Sequence, residues 1–226
     1  MLLKQMHYHM LKHLMWLIYC QNINQFMIRF VEENKMKKIG ITGGIGAGKT
    51  YVAKIFEDLG YPVFNSDIQA KNCLIEDNNL IEEVRKIFGE RVFKEEKLQI
   101  KDLANIVFKD IKKLDQLNRL VHPVVRLRFR DWCKKSDASL VIKETAILFE
   151  SNSHLDLDSV ICVSCPENIR IQRVEKRDQI SKAEVLNRIN KQIPQHEKEK
   201  LSNYIILNDG SELLLPQITN ILKEIE

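Results

Sequence analysis

One stretch of this chain decides its fold, and it reads Gly43-Gly44-Ile45-Gly46-Ala47-Gly48-Lys49-Thr50. It fits the pattern G-x-x-x-x-G-K-[ST] of a phosphate-binding loop, or P-loop. Glycines lack Cβ atoms, so consecutive backbone N–H groups can turn inward around a phosphate. The lysine adds a charge near the β- and γ-phosphates, and the threonine hydroxyl can hold Mg²⁺. We therefore expect this loop to bind a nucleoside triphosphate together with Mg²⁺.

The sequence on each side of the loop supplies the strand and the helix that the motif requires. Residues 37–42 include Ile39 and Ile41 in a short run that is typical of a buried strand. Residues 50–59 carry apolar side chains at helical spacing, and Gly60 favours the end of that helix. A helix in this place aims the positive end of its dipole at the bound phosphate.

Four further apolar runs predict strands that alternate with helices along the chain. They are residues 61–64, 140–143, 159–163 and 204–207. Alternation of this kind implies a parallel sheet with right-handed crossovers and helices on its faces. The predicted fold class is therefore α/β, a three-layer sandwich with a five-stranded parallel sheet.

The pattern of the chain from residue 36 onward predicts one domain with two helical insertions. Residues 36–226 contain no repeat and no low-complexity linker, and the insertions lie at about residues 70–135 and 167–195. In the first insertion, the apolar residues between 103 and 114 predict one helical face. Pro123 predicts a break in the helix just before it, because the residue that precedes proline avoids the helical region.

The N-terminal residues differ in composition from the rest of the chain. All six methionines lie between Met1 and Met36, and the apolar run at residues 14–20 is too short to span a bilayer. Met36 stands directly before the first predicted strand. We therefore expect residues 1–35 to be an over-extended reading frame outside the fold, with an appended helix and a targeting segment as the alternatives.

Composition and charge narrow the class of protein. The 226 residues are 44% hydrophobic and 29% charged, which is ordinary for a globular protein. A formal net charge of +4 suits anionic small substrates but gives no argument for nucleic acid. The five cysteines are scattered and odd in number, which favours reduced thiols and a cytoplasmic location. Cys162 and Cys165 lack a second C-x-x-C pair, so we interpret them as buried and structural rather than redox-active or zinc-binding.

Two acidic residues follow predicted strands, where a doubly wound sheet gathers its functional groups. Asp67 comes shortly after the second strand, so it is either a functional acid near the loop or the N-cap of the next helix. Glu144 directly follows the third strand and could orient Mg²⁺ or its waters. The sequence alone leaves both roles of Asp67 open.

Arginines concentrate on two short predicted helices after the fourth strand. They are Arg170, Arg173, Arg177 and Arg188. Two such helices could close over a polyphosphate as a lid, and a solvated helical hairpin is the alternative. In the first insertion, arginines alternate at positions 126, 128 and 130, which favours a solvated face over a joint anion site.

Motif content excludes several classes of P-loop protein. A GTPase needs the strings N-K-x-D and D-x-x-G, and neither occurs. A transporter-type ATPase needs a longer chain and a signature loop, and a dinucleotide-dependent oxidoreductase needs a glycine where Lys49 stands. A small-molecule kinase needs a phosphate loop, an acid near the acceptor hydroxyl, a binding insertion and a cationic lid. This chain offers all four.

An ordered set of further motifs resembles the dephospho-CoA kinase family. Besides the loop and the preceding Ile41-Thr42, the set comprises Asn65-Ser66-Asp67, His122-Pro123, Ala146-Ile147-Leu148-Phe149-Glu150, Arg173, Arg177, Arg188, Gln192 and Asn208-Asp209-Gly210. It covers residues 36–210 in order and is more specific than the loop alone. Two residues depart from the family pattern, since Asn65 stands in place of an aspartate and Ala146 in place of a proline.

The resemblance implies a phosphotransferase with an alcohol group as acceptor. ATP would phosphorylate the 3′-hydroxyl of dephospho-CoA, giving CoA and ADP in the last step of coenzyme A biosynthesis. The implied catalytic residues are Asp67, Lys49, Arg173 and Arg177. The implied binding residues are 43–50 and Asn208 for ATP, Asp67, His122, Phe149 and Glu150 for the acceptor, and Thr50 for Mg²⁺. The resemblance implies no nucleic acid, membrane or obligate protein partner, and we expect a monomer.

Two other functions stay open on the sequence alone. One is phosphorylation of a different small metabolite or nucleoside by a kinase with the same fold and motifs. The other is a nucleotide-dependent regulatory switch that binds nucleotide without metabolic turnover. The acceptor that supports ADP release would distinguish the three functions.

Overall fold

Five parallel strands form the centre of the computed structural model, which describes residues 36–107 and 109–225. In chain order they are β1 (Lys37–Thr42), β2 (Val63–Asn65), β3 (Leu140–Glu144), β4 (Ser159–Ser164) and β5 (Tyr204–Leu207). Their order across the sheet is β2-β3-β1-β4-β5. The predicted α/β class and the five-stranded parallel sheet are confirmed.

Helices connect the strands and cover the sheet. They are α1 (Lys49–Asp58), α2 (Ser66–Glu76), α3 (Asn78–Phe88), α4 (Ile100–Val107), α5 (Ile111–Lys134), α6 (Glu167–Asp178), α7 (Lys182–Ile189), α8 (Gln195–Leu201) and α9 (Leu214–Ile225). Short 3₁₀ helices span Glu90–Val92 and Ser153–Asp156. Within the described residues, no helix is long and apolar enough to cross a membrane.

Alternation along the strands divides the core between the two faces of the sheet. Ile39, Ile41 and Ile142 are almost fully buried and pack with side chains of α1 and α9 in one hydrophobic cluster. On the other face, Phe64 of β2 meets Phe129 of α5 edge to face at 5.1 Å between ring centroids. Burial of both faces explains why the strands are apolar runs rather than alternating ones.

The register of the strands brings their carboxyl ends together. Glu144, the last residue of β3, lies opposite Ile41 of β1 on one side and Asn65 of β2 on the other. The phosphate loop begins at Gly43, directly after β1, and α2 begins at Ser66, directly after β2. The residues that follow these three strands therefore converge at one edge of the sheet.

Before Pro123, the first insertion differs from its sequence prediction in two places. Phe93–Lys94 and Lys97–Leu98 form an antiparallel two-stranded ribbon that was expected to be helical. The helical face predicted between residues 103 and 114 is divided between α4 and α5, because Asp110 caps α5 through the amide of Lys112. At the ribbon, a hairpin turn interrupts the expected helix. Between residues 103 and 114, the cap at Asp110 outweighs the apolar periodicity.

The predicted break at Pro123 is wrong, because α5 continues through it for a total of 24 residues. An interior proline removes one hydrogen bond and costs about 3 kcal/mol. The cost is offset by the buried face of the same helix, which includes Val121, Val125 and Phe129. Tertiary packing thus holds a helix that local preference would interrupt.

The described part of the chain from Lys37 onward forms one compact unit. The expectations about residues 1–35 lie outside the described residues.

Arginines of α5 are held by ion pairs on its surface: Arg126 and Arg130 both contact Asp156, and Arg128 contacts Glu76. Arg126 and Arg130 thus share one carboxylate and Arg128 has a different partner, so the three arginines do not form one joint site.

Candidate active site

The phosphate loop is shaped by neighbours that approach its backbone closely. Gly46 has φ +80°, and a Cβ atom there would lie 2.5 Å from the backbone oxygen of Arg170. Gly48 has φ +92°, and a Cβ atom there would collide with the side chain of Asn208. Both positions combine a left-handed conformation with a lack of space, so only glycine fits. The motif glycines therefore serve packing against α6 and β5 as well as phosphate access.

Asn208 supports the loop from the end of β5. Its Nδ2 donates to the carbonyl oxygen of Ala47 at 2.8 Å, and its backbone amide donates to Ser164 at 2.8 Å. Asn208, which was predicted to bind ATP, thus contacts the phosphate loop directly. It fixes the loop to the last strand of the sheet.

Lys49 is the buried charge of the loop. Its side chain is only 9% exposed, and Nζ donates to the carbonyl oxygen of Gly44 at 3.2 Å. Burial lowers the pKa of Lys49 to about 8, while the carboxylates of Asp67 and Glu144 act in the opposite direction. A buried ammonium with a lowered pKa favours the arrival of an anion, which restores the charged form. Lys49 is thus poised to bind a phosphate.

Glu144 links the loop to the second strand. Its Oε1 accepts a hydrogen bond from Thr50 Oγ1 at 2.8 Å, and its Oε2 accepts one from Asn65 Nδ2. Glu144 is almost fully buried, and burial raises its pKa despite the hydrogen bond from Thr50. A nearby cation would stabilise the ionised form of this buried carboxylate. Asn65, which departs from the family pattern, therefore orients this acid.

The structure excludes one of the two interpretations of Asp67. Asn65 caps α2, because its Oδ1 accepts a hydrogen bond from the amide of Ile68 at 2.9 Å. Asp67 lies in the first turn of the helix, so its interpretation as the N-cap is wrong. Its carboxylate is exposed and accepts a 3.4 Å hydrogen bond from Thr145 Oγ1. Asp67 thus has a solvent-accessible carboxylate within electrostatic range of Lys49.

A cavity of about 160 Å³ opens beside Asp67 between α2, α5 and the chain after β3. Asp67 and His122 both line it, together with Lys71, Arg126 and Thr145. Burial lowers the pKa of His122, and the charges of Lys143 and Arg126 lower it further. His122 is therefore neutral at pH 7. Its Nε2 is buried and makes no hydrogen bond within the described residues.

The structure does not place Phe149 and Glu150 in this cavity. Phe149 is buried and contacts the ring of His154 at 5.1 Å between centroids. Glu150 pairs with Lys198 at 2.8 Å and accepts a hydrogen bond from the amide of Ile193 at 3.0 Å. Both residues stabilise the segment between α7 and α8. Lys198 is fully buried, and no motif in the sequence predicted a role for it.

The predicted lid arginines fall into two groups. Arg173 donates to the carbonyl oxygen of Asn208 at 3.0 Å and so lies beside the loop. Arg177 and Arg188 lie on α6 and α7 and both contact the carboxylate of Asp178 at 2.7 Å. The charge of Arg177 contributes to the lowered pKa of Lys49, so it lies within electrostatic range of the loop. Only Arg173 of these three touches a residue that supports the loop.

The helices α6 and α7 form a hairpin with its own small core. Ile171, Val174 and Val185 are buried between them. Ser181 caps α7 in the predicted capping box, because its Oγ accepts from the amide of Glu184 while the Glu184 carboxylate accepts from the amide of Ser181. The hairpin exposes Arg177 and Arg188, whereas Arg170 is buried beside Gly44 and Arg173 contacts Asn208.

The cysteines predicted to be structural are buried. Cys162 and Cys165 lie in and just after β4, and neither forms a disulfide. Burial raises the pKa of Cys162 to about 11 and also raises that of Cys165. Protonated, buried thiols are poor nucleophiles and poor metal ligands.

Two glutamines at the loop were not assigned a role from the sequence. Gln195 Oε1 accepts a hydrogen bond from the amide of Gly44 at 2.7 Å, and Gln192 Oε1 accepts one from the amide of Ile45 at 2.9 Å. Gln192 belongs to the family resemblance, but nothing in its spacing indicated this contact. Glutamines distant in sequence carry no local signal for such a bond.

The parallel sheet, the phosphate loop and the acid beside an acceptor-sized cavity define a P-loop kinase of small molecules. The family model of dephospho-CoA kinase matches residues 37–213. This chain belongs to the dephospho-CoA kinase family. A dephospho-CoA kinase from Bacteroides fragilis is 36% identical over 186 residues, which cover 82% of this chain and 91% of the relative.

Solved structures agree with this assignment. A structure from Thermus thermophilus has a TM-score of 0.76 and 34% identity, covering 85% of this chain and 99% of its own. A dephospho-CoA kinase from Campylobacter jejuni has a TM-score of 0.61 and 26% identity, covering 83% of this chain and 96% of its own. The similarity thus extends over the whole domain rather than the loop alone.

Proposed function

We propose that this site carries out the family reaction, transfer of the γ-phosphoryl group of ATP to the 3′-hydroxyl of dephospho-CoA. The products are CoA and ADP, and the reaction is the last step of coenzyme A biosynthesis. The observation that carries the proposal is that Asp67 lines the cavity and lies within electrostatic range of the charge of Lys49. A carboxylate between an acceptor cavity and a phosphate loop is what transfer to a hydroxyl requires.

The loop binds the phosphates of ATP in this proposal. The amides of Gly46, Gly48 and Lys49 make no hydrogen bond to a protein acceptor within residues 36–107 and 109–225, so they can donate to phosphate oxygens. Lys49 supplies a buried positive charge where negative charge accumulates during transfer. Because these groups are fixed in advance, they stabilise the transition state without reorganising.

Asp67 orients the acceptor hydroxyl and accepts its proton. The carboxylate is exposed to the cavity and held by a hydrogen bond from Thr145. His122 lines the same cavity as a neutral imidazole and can donate to or accept from the acceptor. The helical insertion thereby places the acceptor beside the loop, which supplies most of the catalysis by positioning.

The residues at the loop suit Mg²⁺. Thr50 Oγ1 and Glu144 Oε1 lie 2.8 Å apart, and hard oxygen donors are those that Mg²⁺ prefers. Mg²⁺ is usually held by one or two side-chain oxygens together with substrate phosphates and waters. When bound, the metal would neutralise charge on the β- and γ-phosphates. Thr50 would hold it, and Glu144 would orient its waters.

Arg173 and Arg177 supply further positive charge to the transferring phosphoryl group. Arg173 already lies beside the loop, whereas the contact of Arg177 with Asp178 must be exchanged for a contact with phosphate. Closure of the hairpin over bound ATP would bring about this exchange and exclude water.

We also propose a cytoplasmic location, supported by the four free cysteines of the described chain.

The test is an ADP-release assay with a panel of acceptors. Dephospho-CoA should support turnover with Mg²⁺ and ATP, while adenosine and other nucleosides should not. Turnover with a nucleoside and not with dephospho-CoA would assign the protein to a different small-molecule kinase activity. Tight ATP binding without turnover on any acceptor would indicate a regulatory switch.

A further inference from the structure

The first two amides after Gly43 donate to side chains rather than to backbone. Gly44 N donates to Gln195 Oε1 at 2.7 Å, and Ile45 N donates to Gln192 Oε1 at 2.9 Å. Both glutamines come from the segment that follows α7, about 150 residues further along the chain. The beginning of the phosphate loop is therefore shaped by groups that are remote in sequence.

Gln195 is itself held in one orientation. Its Nε2 donates to the carbonyl oxygen of Val163 at 3.1 Å and to Glu199 Oε1 at 3.1 Å. The same Glu199 oxygen accepts a hydrogen bond from Ser164 Oγ at 2.6 Å. Because the side-chain amide is planar, fixing Nε2 on two acceptors also fixes the direction of Oε1. Gly44 therefore meets an acceptor whose position is set by β4.

The helix that carries Gln195 is anchored independently of the loop. Lys198 is fully buried and pairs with Glu150 at 2.8 Å. Lys198 also donates to the carbonyl oxygen of Ala146, after β3. Gln195 thus transmits the position of the sheet to the phosphate loop through α8.

Gln192 differs from Gln195 in how it is supported. It lies between α7 and α8, and the described residues give its side chain no hydrogen bond other than the one from Ile45. A side chain with a single contact can leave its partner at little structural cost. Gln192 therefore serves as the matched control for Gln195, since it is the same residue type on the adjacent amide.

We propose that Gln195 is a positioning residue for the phosphate loop. It touches the loop through the amide of Gly44, and in this proposal it acts on the nucleotide only through that amide. By fixing this amide, it sets the bend from which the following amides converge on the β- and γ-phosphates. The proposal deepens the proposed function, because it concerns the ATP half of the same site.

The central experiment compares Gln195→Leu with Gln192→Leu in the full chain. Equilibrium binding of ATP and AMP is measured by calorimetry, and the melting temperature is measured without nucleotide. Gln195→Leu should weaken ATP binding about tenfold or more and AMP binding less than twofold, because AMP lacks the phosphates that the loop holds. Gln192→Leu should change ATP affinity less than threefold. Unchanged ATP affinity in Gln195→Leu, or equal losses for ATP and AMP, would overturn the proposal.

A rescue separates positioning from a merely structural role. Gln195→Glu places a carboxylate against Glu199, so it should lose ATP affinity as Gln195→Leu does. Adding Glu199→Gln restores a donor between the two side chains and leaves an acceptor for Gly44, but the bond to the carbonyl oxygen of Val163 stays lost, so ATP affinity should recover at least threefold without reaching the wild-type value. Absence of recovery in a folded double variant would contradict the proposal. These binding measurements are independent of the acceptor, so failure of dephospho-CoA turnover in the wild type would refute the proposed function alone.

Discussion

The phosphate loop and the hairpin of α6 and α7 serve the same phosphates in the proposed reaction, but they are built differently. The loop is enclosed by β4, α6, Asn208 and Gln195, and its lysine is 9% exposed. On the hairpin, the side chains of Arg177 and Arg188 are 63% and 48% exposed and contact Asp178. The loop is therefore fixed by its neighbours, including α6 itself and Arg173, whereas Arg177 and Arg188 of the same hairpin are largely exposed and are held by Asp178.

This difference implies that the two regions should respond differently to mutation. Groups fixed in advance contribute to binding and catalysis together, while groups that arrive on closure contribute mainly to catalysis. The predictions below test this contrast, from the largest expected effect to the smallest.

Lys49→Ala should have the largest effect. The loss of a preorganised charge should lower kcat/KM by roughly 10²–10³-fold. Steady-state kinetics with dephospho-CoA measure this loss, and calorimetry should also show weaker ATP binding. The control is Lys54→Ala, which removes an exposed lysine of the same helix that pairs with Glu57. Near-normal kcat/KM for Lys49→Ala would contradict the assignment of the phosphate loop.

Asp67→Asn should lower kcat by roughly 10²-fold or more, the usual scale of general-base contributions. The fold and the ATP affinity should persist, because Asn65 and not Asp67 caps α2. Single-turnover rates, ATP affinity and the melting temperature are measured on this one variant. Asp102→Asn is the matched control, since it alters an exposed aspartate in the first turn of α4. Wild-type turnover with intact folding would refute the catalytic role.

Arg177→Ala tests the lid directly. It should lower kcat about tenfold while changing ATP affinity much less, because its phosphate contact forms mainly in the transition state. Arg173→Ala should affect both quantities, since Arg173 already lies beside the loop. Lys176→Ala on the same helix should leave both quantities unchanged. If Arg177→Ala has the kinetics of the wild type, α6 and α7 form a solvated hairpin rather than a lid.

Lys143 offers a comparison with Lys49, because burial lowers the pKa of each to about 8. Lys143 faces the ring of Phe129 at 4.5 Å rather than a phosphate loop. Its folded-state pKa lies below the unfolded value of 10.5, so the folded protein binds fewer protons between about pH 8 and 10.5. Below pH 8, the burial of Lys143 therefore lowers the free energy of unfolding by its full contribution. This loss shrinks as the pH rises from about 8 to 10.5.

Lys143→Met should therefore raise the melting temperature at pH 7 by several degrees, equivalent to a few kcal/mol at most. Methionine keeps the length of the side chain and its contact with Phe129 without the charge. The difference from the wild type should shrink towards pH 10, where Lys143 is neutral. Thermal melts at pH 7 and pH 10 provide the measurement, and a variant that is less stable at both values would contradict the prediction.

Removal of residues 1–35 should have the smallest effect. A chain that begins at Met36 should match the full chain in melting temperature and in kcat/KM, if those residues lie outside the fold. The two proteins are compared under identical conditions. A large loss of stability or activity in the shorter chain would show that the N-terminal residues belong to the functional protein.

The sequence predicted the parts of the site that depend on local spacing. The loop requires glycines and a lysine at fixed separations, so its position could be read directly from residues 43–50. The strand pattern also predicted that Glu144 and Asp67 would meet the loop, since parallel strands align their carboxyl ends. The family assignment followed from the order of these motifs and is confirmed by the family match. The roles given to individual residues stay predictions.

Predictions that depended on tertiary context were less reliable. Pro123 lies inside α5 because burial of the helix outweighs a local penalty. Asp67 and Asn65 are two residues apart, and spacing alone could not decide which of them caps α2. The acceptor-binding role of Phe149 and Glu150 stays a prediction, and in the structure Glu150 pairs with Lys198 while Phe149 packs in a small cluster of its own. The continuation of α5 through Pro123 and the placement of Phe149 and Glu150 depend on packing partners that lie far away in sequence, whereas Asn65 caps α2 through the nearby amide of Ile68.

The sequence by itself determined the fold class, the phosphate loop and the family, because each rests on short patterns that the backbone imposes locally. Only the tertiary structure decided that Gln195 holds Gly44, that Asn65 orients Glu144 and that Asp178 holds Arg188. A hydrogen bond between groups that are apart in sequence depends on distances of a few tenths of an ångström. Those distances are set by how the sheet and helices pack, and no local pattern encodes them.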